Sequence, residues 1–221
     1  MPTELYSEIS RRGWNYAKGV ELDHARVTVD NLRMSIEGGQ ANIRYKELGI
    51  YSAQDAPKAS MSSVVGAGRQ PMHTDGAFLP DPPRYLIFYC VNAGNADRRT
   101  RIWSINPQLF QSRFSSNLWD VSWLSRSKRS SAFYCPIFDE AEGQMRVRYD
   151  PICMQPTSDN SESRSDVEDQ LSALSDKIEI RWTTGDMLII DNWRCLHARS
   201  EPLLLSIKDP RILWRWTIGG S

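Results

Sequence analysis

Histidine is scarce in this sequence: His24, His73 and His197 are the whole supply. Any metal site that needs two imidazoles must draw on those three. Cysteine is nearly as sparse. Cys90, Cys135, Cys153 and Cys195 fall into no C-x-x-C spacing, which excludes zinc-ribbon and thioredoxin-type readings. Each is read as a reduced, small buried hydrophobe rather than a nucleophile. Charge of one sign is also missing. Lys plus Arg and Asp plus Glu both number 27, so the basic excess of a nucleic-acid binder is absent. Two tight basic clusters, Arg98-Arg99-Arg101 and Arg126-Lys128-Arg129, are read as solvated surface rather than phosphate patches. No apolar run approaches the ~20 residues of a membrane span. The opening MPTELYSEISRRGW lacks the apolar core of a signal peptide. The expectation is a cytoplasmic protein that takes neither nucleic acid nor membrane as partner.

What is present reads mainly as β-structure in one domain over residues 1–221, a length at which all-β barrels often remain undivided. Residues 4–17 have loosely helical spacing of Leu5, Ile9 and Tyr16. Residues 25–29 and 42–46 read as short strands, and 52–72 as a long loop rich in Ala, Ser, Gly and Pro. The run YLIFYCV from Tyr85 suits a buried strand. Further strands are expected at 100–105, 131–138, 144–149, 178–183, 187–190 and 211–218, with the acidic turn DEAEG joining the 131–138 and 144–149 pair. Residues 106–124 look partly helical and 156–166 read as a surface loop. A helix is expected to follow, with Ser165 and Glu168 at capping-box spacing and Val167, Leu171, Leu174 and Ile178 on one face. Many short strands with few helices suggest a jelly roll, whose mouth is a common ligand site.

His73-Thr74-Asp75 stands at the end of the long loop. In extended backbone, residues i and i+2 point to the same side, so His73 and Asp75 can face one ion from Cα positions about 6 to 7 Å apart. His197, in DNWRCLHARS after the apolar strand 187–190, is the candidate third ligand. Two His and one carboxylate leave three coordination positions open, which suits an iron(II) oxygenase. Zinc with three protein ligands and a water is compatible with the same donor set, and a non-catalytic barrel carrying a vestigial motif is a further alternative.

The last strand, RILWRWTI, alternates strictly. It puts Ile212, Trp214, Trp216 and Ile218 on one face, and Arg211, Leu213, Arg215 and Thr217 on the other. The two arginines would lie roughly 13 Å apart along the strand, which implies two separate anions or polar groups. Arginine suits a buried bidentate grip on a carboxylate, and an exposed edge strand with solvated arginines is the rival reading.

Taken together, MHTDGAFLPDPPRYLIFYCVNAG, DRRTRIWS, MRVRYDP, GDMLIIDNWRCLHARS and RILWRW resemble, in order, the 2-oxoglutarate-dependent dioxygenases of the taurine dioxygenase and clavaminate synthase-like group. The resemblance spans about residues 70–217. It implies a double-stranded β-helix, a jelly roll of cupin type, with His73, Asp75 and His197 as iron ligands. It further implies that Arg211 and Thr100 bind the distal carboxylate of 2-oxoglutarate, and that Arg215 contacts an acidic substrate group. Asp191 and Asn192 resemble the family DN pair and are read as turn or outer residues that orient His197. The implied activity is oxidation of an aliphatic C–H of a small anionic metabolite, free or tethered to a carrier protein, using iron(II), 2-oxoglutarate and O2. Hydroxylation is the default outcome, with desaturation or cyclisation open. Because the carboxylate Asp75 is present, halogenation is not expected.

Overall fold

A computed structural model describes residues 2–36, 39–49, 52–56, 58, 60–106, 117–128, 130–157, 164–203 and 209–220. Thirteen strands and five helices run in chain order through these residues. They are α1 (Pro2–Arg12), β1 (Trp14–Ala17), α2 (Leu22–Met34), β2 (Ile43–Leu48), α3 (Ser62–Val65), β3 (Tyr85–Asn92), β4 (Thr100–Ile105) and α4 (Asn117–Asp120). There follow β5 (Trp123–Ser127), β6 (Ser130–Cys135), β7 (Phe138–Ala141), β8 (Gln144–Val147), β9 (Met154–Pro156) and α5 (Arg164–Ala173). The chain closes with β10 (Ser175–Ile180), β11 (Met187–Asp191), β12 (Cys195–Arg199) and β13 (Ile212–Ile218).

Two antiparallel sheets face each other. The larger has the order β1-β11-β3-β13-β2 and the smaller β10-β4-β12. Strict alternation explains how the large sheet buries both faces. Leu86, Phe88 and Cys90 of β3 point inward with Leu188 and Ile190 of β11, Ile102 of β4 and Leu213 of β13. Ile87, Ile189, Trp216 and Ile218 point outward against Ile9 of α1 and Ala25, Val29 and Leu32 of α2. A third core lies behind the small sheet, where Trp103, Ile105, Leu196 and Ala198 meet Trp123, Phe138, Tyr149 and the buried Val167 and Leu171 of α5. This sandwich is the jelly roll expected from the sequence.

Several local expectations change. Residues 14–17 are not helix: α1 stops at Arg12, Gly13 takes φ +80°, and Trp14 to Ala17 pair with β11. That left-handed φ favours glycine and ends the helix. Residues 25–29 are helical. Their β-branched Val27, Thr28 and Val29 suggest a strand, but Ala25, Val29 and Leu32 are spaced for one helix face and all three are buried on the sheet. Residues 52–72 contain the short helix α3. The helix expected to begin after Ser165 already includes Arg164, and Ile178 belongs to β10 rather than to that helix. The acidic turn forms a tight hairpin between β7 and β8, with Glu142 and Gly143 both at positive φ, as a two-residue type I′ turn requires. Residues 107–116 and 158–163, parts of two expected segments, lie outside the described residues.

Candidate metal centre and anion pocket

His197 lies within a strand of its own, β12, not merely after one. His73 is joined to it by an isolated antiparallel bridge. The His73 N–H donates to the His197 carbonyl at 3.0 Å, and the His197 N–H returns to the His73 carbonyl at 2.8 Å. Directly opposed residues share a face, so the two imidazoles stand side by side with ring centroids 4.3 Å apart. His24 lies exposed on α2 and takes no part.

Asp75 is brought to the same point by Asn192. The Asp75 N–H donates to Asn192 Oδ1 at 2.9 Å, and Asn192 Nδ2 donates to the carbonyls of Asp75 (2.9 Å) and Pro83 (2.8 Å). Gly76 follows at φ +74°, where a Cβ would stand 2.7 Å from the Pro83 ring, so glycine is needed for the chain to turn away here. Asn192 therefore fixes Asp75 and makes no bond to His197. Asp191 accepts the Trp193 N–H at 3.1 Å. The pair does form the expected turn before β12, with the Arg194 N–H donating to the Asp191 carbonyl at 3.0 Å, but its side chains hold Asp75 and the turn rather than His197.

The Nε2 atoms of His73 and His197 lie 3.6 and 3.8 Å from Asp75 Oδ1. One donor atom from each of the three residues falls within 4.8 Å of the others. Those separations are too long for hydrogen bonds. They suit three donors around one ion, since bonds of about 2.1 Å at right angles space donors by ~3 Å. The His73 Nδ1 lies 2.9 Å from the Pro71 carbonyl, which turns its Nε2 to the site. His197 Nδ1 is buried without a hydrogen-bond partner.

The charges suit a cation. Burial opposes ionisation of Asp75, but Arg215 and the two imidazoles outweigh it and hold the carboxyl well below its usual range. Burial, helped by the adjacent His73 ring, pushes His197 down to about 3, so it offers a free lone pair at neutral pH. Burial also pulls on His73, yet the Asp75 carboxylate outweighs it and raises that imidazole above its ordinary value. Arg215 Nη1 is bonded to Asp75 Oδ2. The sequence reading gave Arg215 an acidic substrate group; in the structure its Nη1 faces the metal-site carboxylate, and the side chain lines the cavity.

The three residues open onto a cavity of about 760 Å³ that also reaches Thr100, Arg199, Arg211 and Arg215. The expected inner face of the last strand is correct: Arg211, Leu213, Arg215 and Thr217 all line the cavity. At the end away from the metal, Arg211 donates to the Arg98 carbonyl at 2.8 Å. Burial and then the nearby Arg199 press its guanidinium down to about 9. Thr100 Oγ1 accepts the Trp182 Nε1–H at 2.9 Å. Arg199 stands directly opposite Thr100 in register and holds the carbonyls of Gly66 and Gly68, each at 2.7 Å. Sequence reasoning missed Arg199, although its place two residues after His197 puts it on the same strand face. The reading of Arg98 as solvated surface is also overturned. It is 2% exposed, and none of its guanidinium nitrogens has a hydrogen-bond partner. Arg99 and Arg101 do lie at the surface, each paired with Glu179. Arg129 lies outside the described residues. No helix among the described residues is long and apolar enough to cross a membrane.

No family model matches the chain. The 3-((Z)-2-isocyanoethenyl)-1H-indole synthase of Fischerella ambigua is 23% identical over 164 residues, covering 60% of this chain and 58% of that relative. The match thus spans less than two thirds of the relative's length. Among solved structures, PvcB of Pseudomonas aeruginosa superposes with TM-score 0.64 at 20% identity, over 98% of this chain and 79% of the other. A second PvcB structure, described as an Fe, alpha-ketoglutarate dependent oxygenase from an isonitrile synthetic pathway, gives 0.63 at 21% identity over the same shares. A taurine dioxygenase of Burkholderia xenovorans gives 0.69 at 13% identity, over 100% of this chain and 81% of the other. The chain has the fold that PvcB and this taurine dioxygenase share.

Proposed function

We propose that the protein is an iron(II)- and 2-oxoglutarate-dependent oxygenase acting on an aliphatic C–H of a small anionic metabolite. The observation that carries this reading is the pairing of His73, Asp75 and His197 with a guanidinium, Arg211, in one cavity. Three protein donors leave coordination positions for a chelating keto-acid and for dioxygen. An iron(II) held by His73, Asp75 and His197 would supply oxidative chemistry driven by the keto-acid and dioxygen.

The remaining steps belong to the chain's own residues. His197 stays neutral and Asp75 ionised at neutral pH, while Asp75, against the pull of burial, raises His73, so of the three donors that imidazole is the one that gives up a proton as a cation binds. Arg215 keeps the Asp75 carboxylate oriented, and Asn192 fixes its backbone. Arg211 and Thr100 would take the distal carboxylate of the co-substrate, and Phe88, on the cavity wall near the His197 ring, helps exclude water. The likeness to PvcB, an oxygenase from an isonitrile synthetic pathway, supports a biosynthetic substrate; the reading leaves it free or carried on a protein. Hydroxylation is the default outcome, with desaturation or cyclisation open to the same site.

The test is anaerobic addition of iron(II) and 2-oxoglutarate. A weak visible metal-to-ligand charge-transfer band is expected, and His73→Ala should abolish it. A band unchanged by that substitution would contradict the ligand assignment. Hydrolytic activity with zinc and without 2-oxoglutarate would favour the zinc alternative.

A further inference from the structure

One wall of the cavity has almost no hydrophobic anchor. Ser60 to Val64 and Gln70 line the cavity, and α3 lies within that stretch. A helix of one turn does not persist alone. α3 buries none of its residues, and Val64 is exposed. The helix ends at Gly66, whose φ of +56° turns the chain away. Apolar packing therefore does not fix this wall. Polar bonds to β12 and the residues just after it do.

Those bonds converge on Arg199. Its Nη2 donates to the carbonyls of Gly66 and Gly68, each at 2.7 Å, and its Nε donates to the Gly68 carbonyl at 3.1 Å. The Arg199 carbonyl accepts the Gln70 N–H at 3.0 Å. Glu201 Oε1 accepts the Arg69 N–H at 3.0 Å. Residues 66–70 are thus stitched to the end of the strand that carries His197, just before the chain reaches His73.

The same side chain belongs to the co-substrate end. Arg199 is buried, stands in register opposite Thr100 and lines the cavity with Thr100 and Arg211. Its guanidinium bonds only carbonyls. Burial and then the charge of Arg98 press it down to about 10, and Glu201 offsets this only in part. Arg199 in turn presses on Arg211. A negative charge placed among these guanidiniums would offset their repulsion.

We propose that Arg199 is a positioning residue that couples the co-substrate end of the cavity to the α3 wall. A carboxylate seated at Arg211 and Thr100 tightens the Arg199 grip on Gly66 and Gly68, and so firms the wall that the substrate meets. This rests on the oxygenase reading for what that carboxylate belongs to. Coupling of this kind is reciprocal, so a substrate that packs on α3 raises the affinity for 2-oxoglutarate.

The experiment is hydrogen–deuterium exchange, read by mass spectrometry on the whole anaerobic protein with iron(II), over a peptide covering residues 60–70. Adding 2-oxoglutarate should slow exchange there severalfold. Pyruvate, a 2-oxo acid without the distal carboxylate, should leave it unchanged. Arg199→Gln, with neither acid present, should speed exchange about tenfold, the effect of losing about one charge-assisted hydrogen bond, and should abolish the response to 2-oxoglutarate. Arg199→Lys keeps the charge and a donor, and should recover part of both. Peptides from α2 should exchange alike in all three proteins, which separates loss of this grip from general loosening. Equal exchange of 60–70 in the parent and Arg199→Gln overturns the proposal, as does an equal response to the two acids. Faster exchange on adding 2-oxoglutarate overturns it too, because the carboxylate would then be pulling Arg199 off the glycines. The comparison of the two acids uses the unsubstituted protein, so it stands even if Arg199→Gln does not fold. Failure of the oxygenase reading shows separately, as absence of the charge-transfer band in the parent, whereas the comparison of parent with Arg199→Gln needs neither acid.

Discussion

At the metal end of the cavity Asp75 is held from several sides: Asn192 fixes its backbone, Arg215 takes one carboxylate oxygen, and two imidazoles approach the other. At the opposite end Arg98, Arg199 and Arg211 are all buried; burial depresses all three guanidiniums, Arg98 further depresses Arg199, and Arg199 and Arg98 further depress Arg211. Glu201 is the nearby carboxylate that acts on Arg98 and Arg199. The first end is an ionised carboxylate, balanced by Arg215, that converges with two imidazoles on one point. The second is an excess of positive charge that an anion would relieve. A keto-diacid that chelates a metal at one end and presents a carboxylate at the other matches both, and substitutions can test each end separately.

The largest expected effect concerns the scaffold of the metal end. Burial raises the Asp191 carboxyl to about 6, against ~3.9 for an unperturbed aspartate. An acid raised on folding binds a proton in the native state that the unfolded chain has already lost. Its favourable contribution is therefore complete below about pH 4 and is lost as pH climbs to about 6, which amounts to ~3 kcal/mol at neutral pH. Asp191→Asn keeps an oxygen for the Trp193 N–H and removes the titration. In urea unfolding, the variant should gain roughly that much over the parent between pH 4 and 6.5. A difference that stays flat with pH would mean that Asp191 ionises normally in the fold.

The opposite end is tested by Arg211→Gln. Loss of a charge-assisted grip on a carboxylate costs about 1.5 to 3 kcal/mol. Half-saturation by 2-oxoglutarate, read from the charge-transfer band, should rise about tenfold to a hundredfold. Iron affinity should hold, because Arg211 touches none of the three donors. A parallel loss of iron would erase the distinction between the two ends.

Much of this contrast is legible in the sequence, though unevenly. The apolar strands β3 and β11 and the alternation of β13 announce themselves by period, and that period places Arg211 and Arg215 on the cavity face. His73, Asp75 and His197 can be named because so few histidines compete. What is not legible depends on contacts distant in the chain. The strand pattern of 25–29 is overridden by burial of one helix face on the sheet. Arg98 reads as surface because its neighbours Arg99 and Arg101 are surface. The Asn192 clamp on Asp75 joins residues from two distant loops, so the adjacent Asp191 and the nearby His197 mislead.

That clamp gives the next prediction. Asn192→Ala leaves the Asp75 N–H and two carbonyls without their partner. Loss of a group that orients a ligand typically costs tenfold to a hundredfold in metal affinity, and about tenfold is expected here in competition with a chelator. At saturating iron the 2-oxoglutarate affinity should be unchanged. Unaltered iron binding would show that Asp75 needs no backbone clamp.

The smallest effect isolates the positive end without touching the co-substrate. Arg98 does not line the cavity, and its guanidinium is buried without a hydrogen-bond partner. Its contribution to the anion pocket made by Arg199 and Arg211 is therefore repulsive charge rather than a contact. Replacing a poorly compensated buried charge with an apolar side chain of similar length is neutral or stabilising. Arg98→Met should raise the melting temperature of the metal-free protein by about 2 to 4 °C, equivalent to ~1 kcal/mol for a chain of this size. The gain should shrink when 2-oxoglutarate and iron are bound, since the co-substrate carboxylate already offsets part of the repulsion. A lower melting temperature would show that the Arg98 guanidinium has a stabilising partner in solution, and the positive end would then be a compensated network rather than a charge excess awaiting an anion.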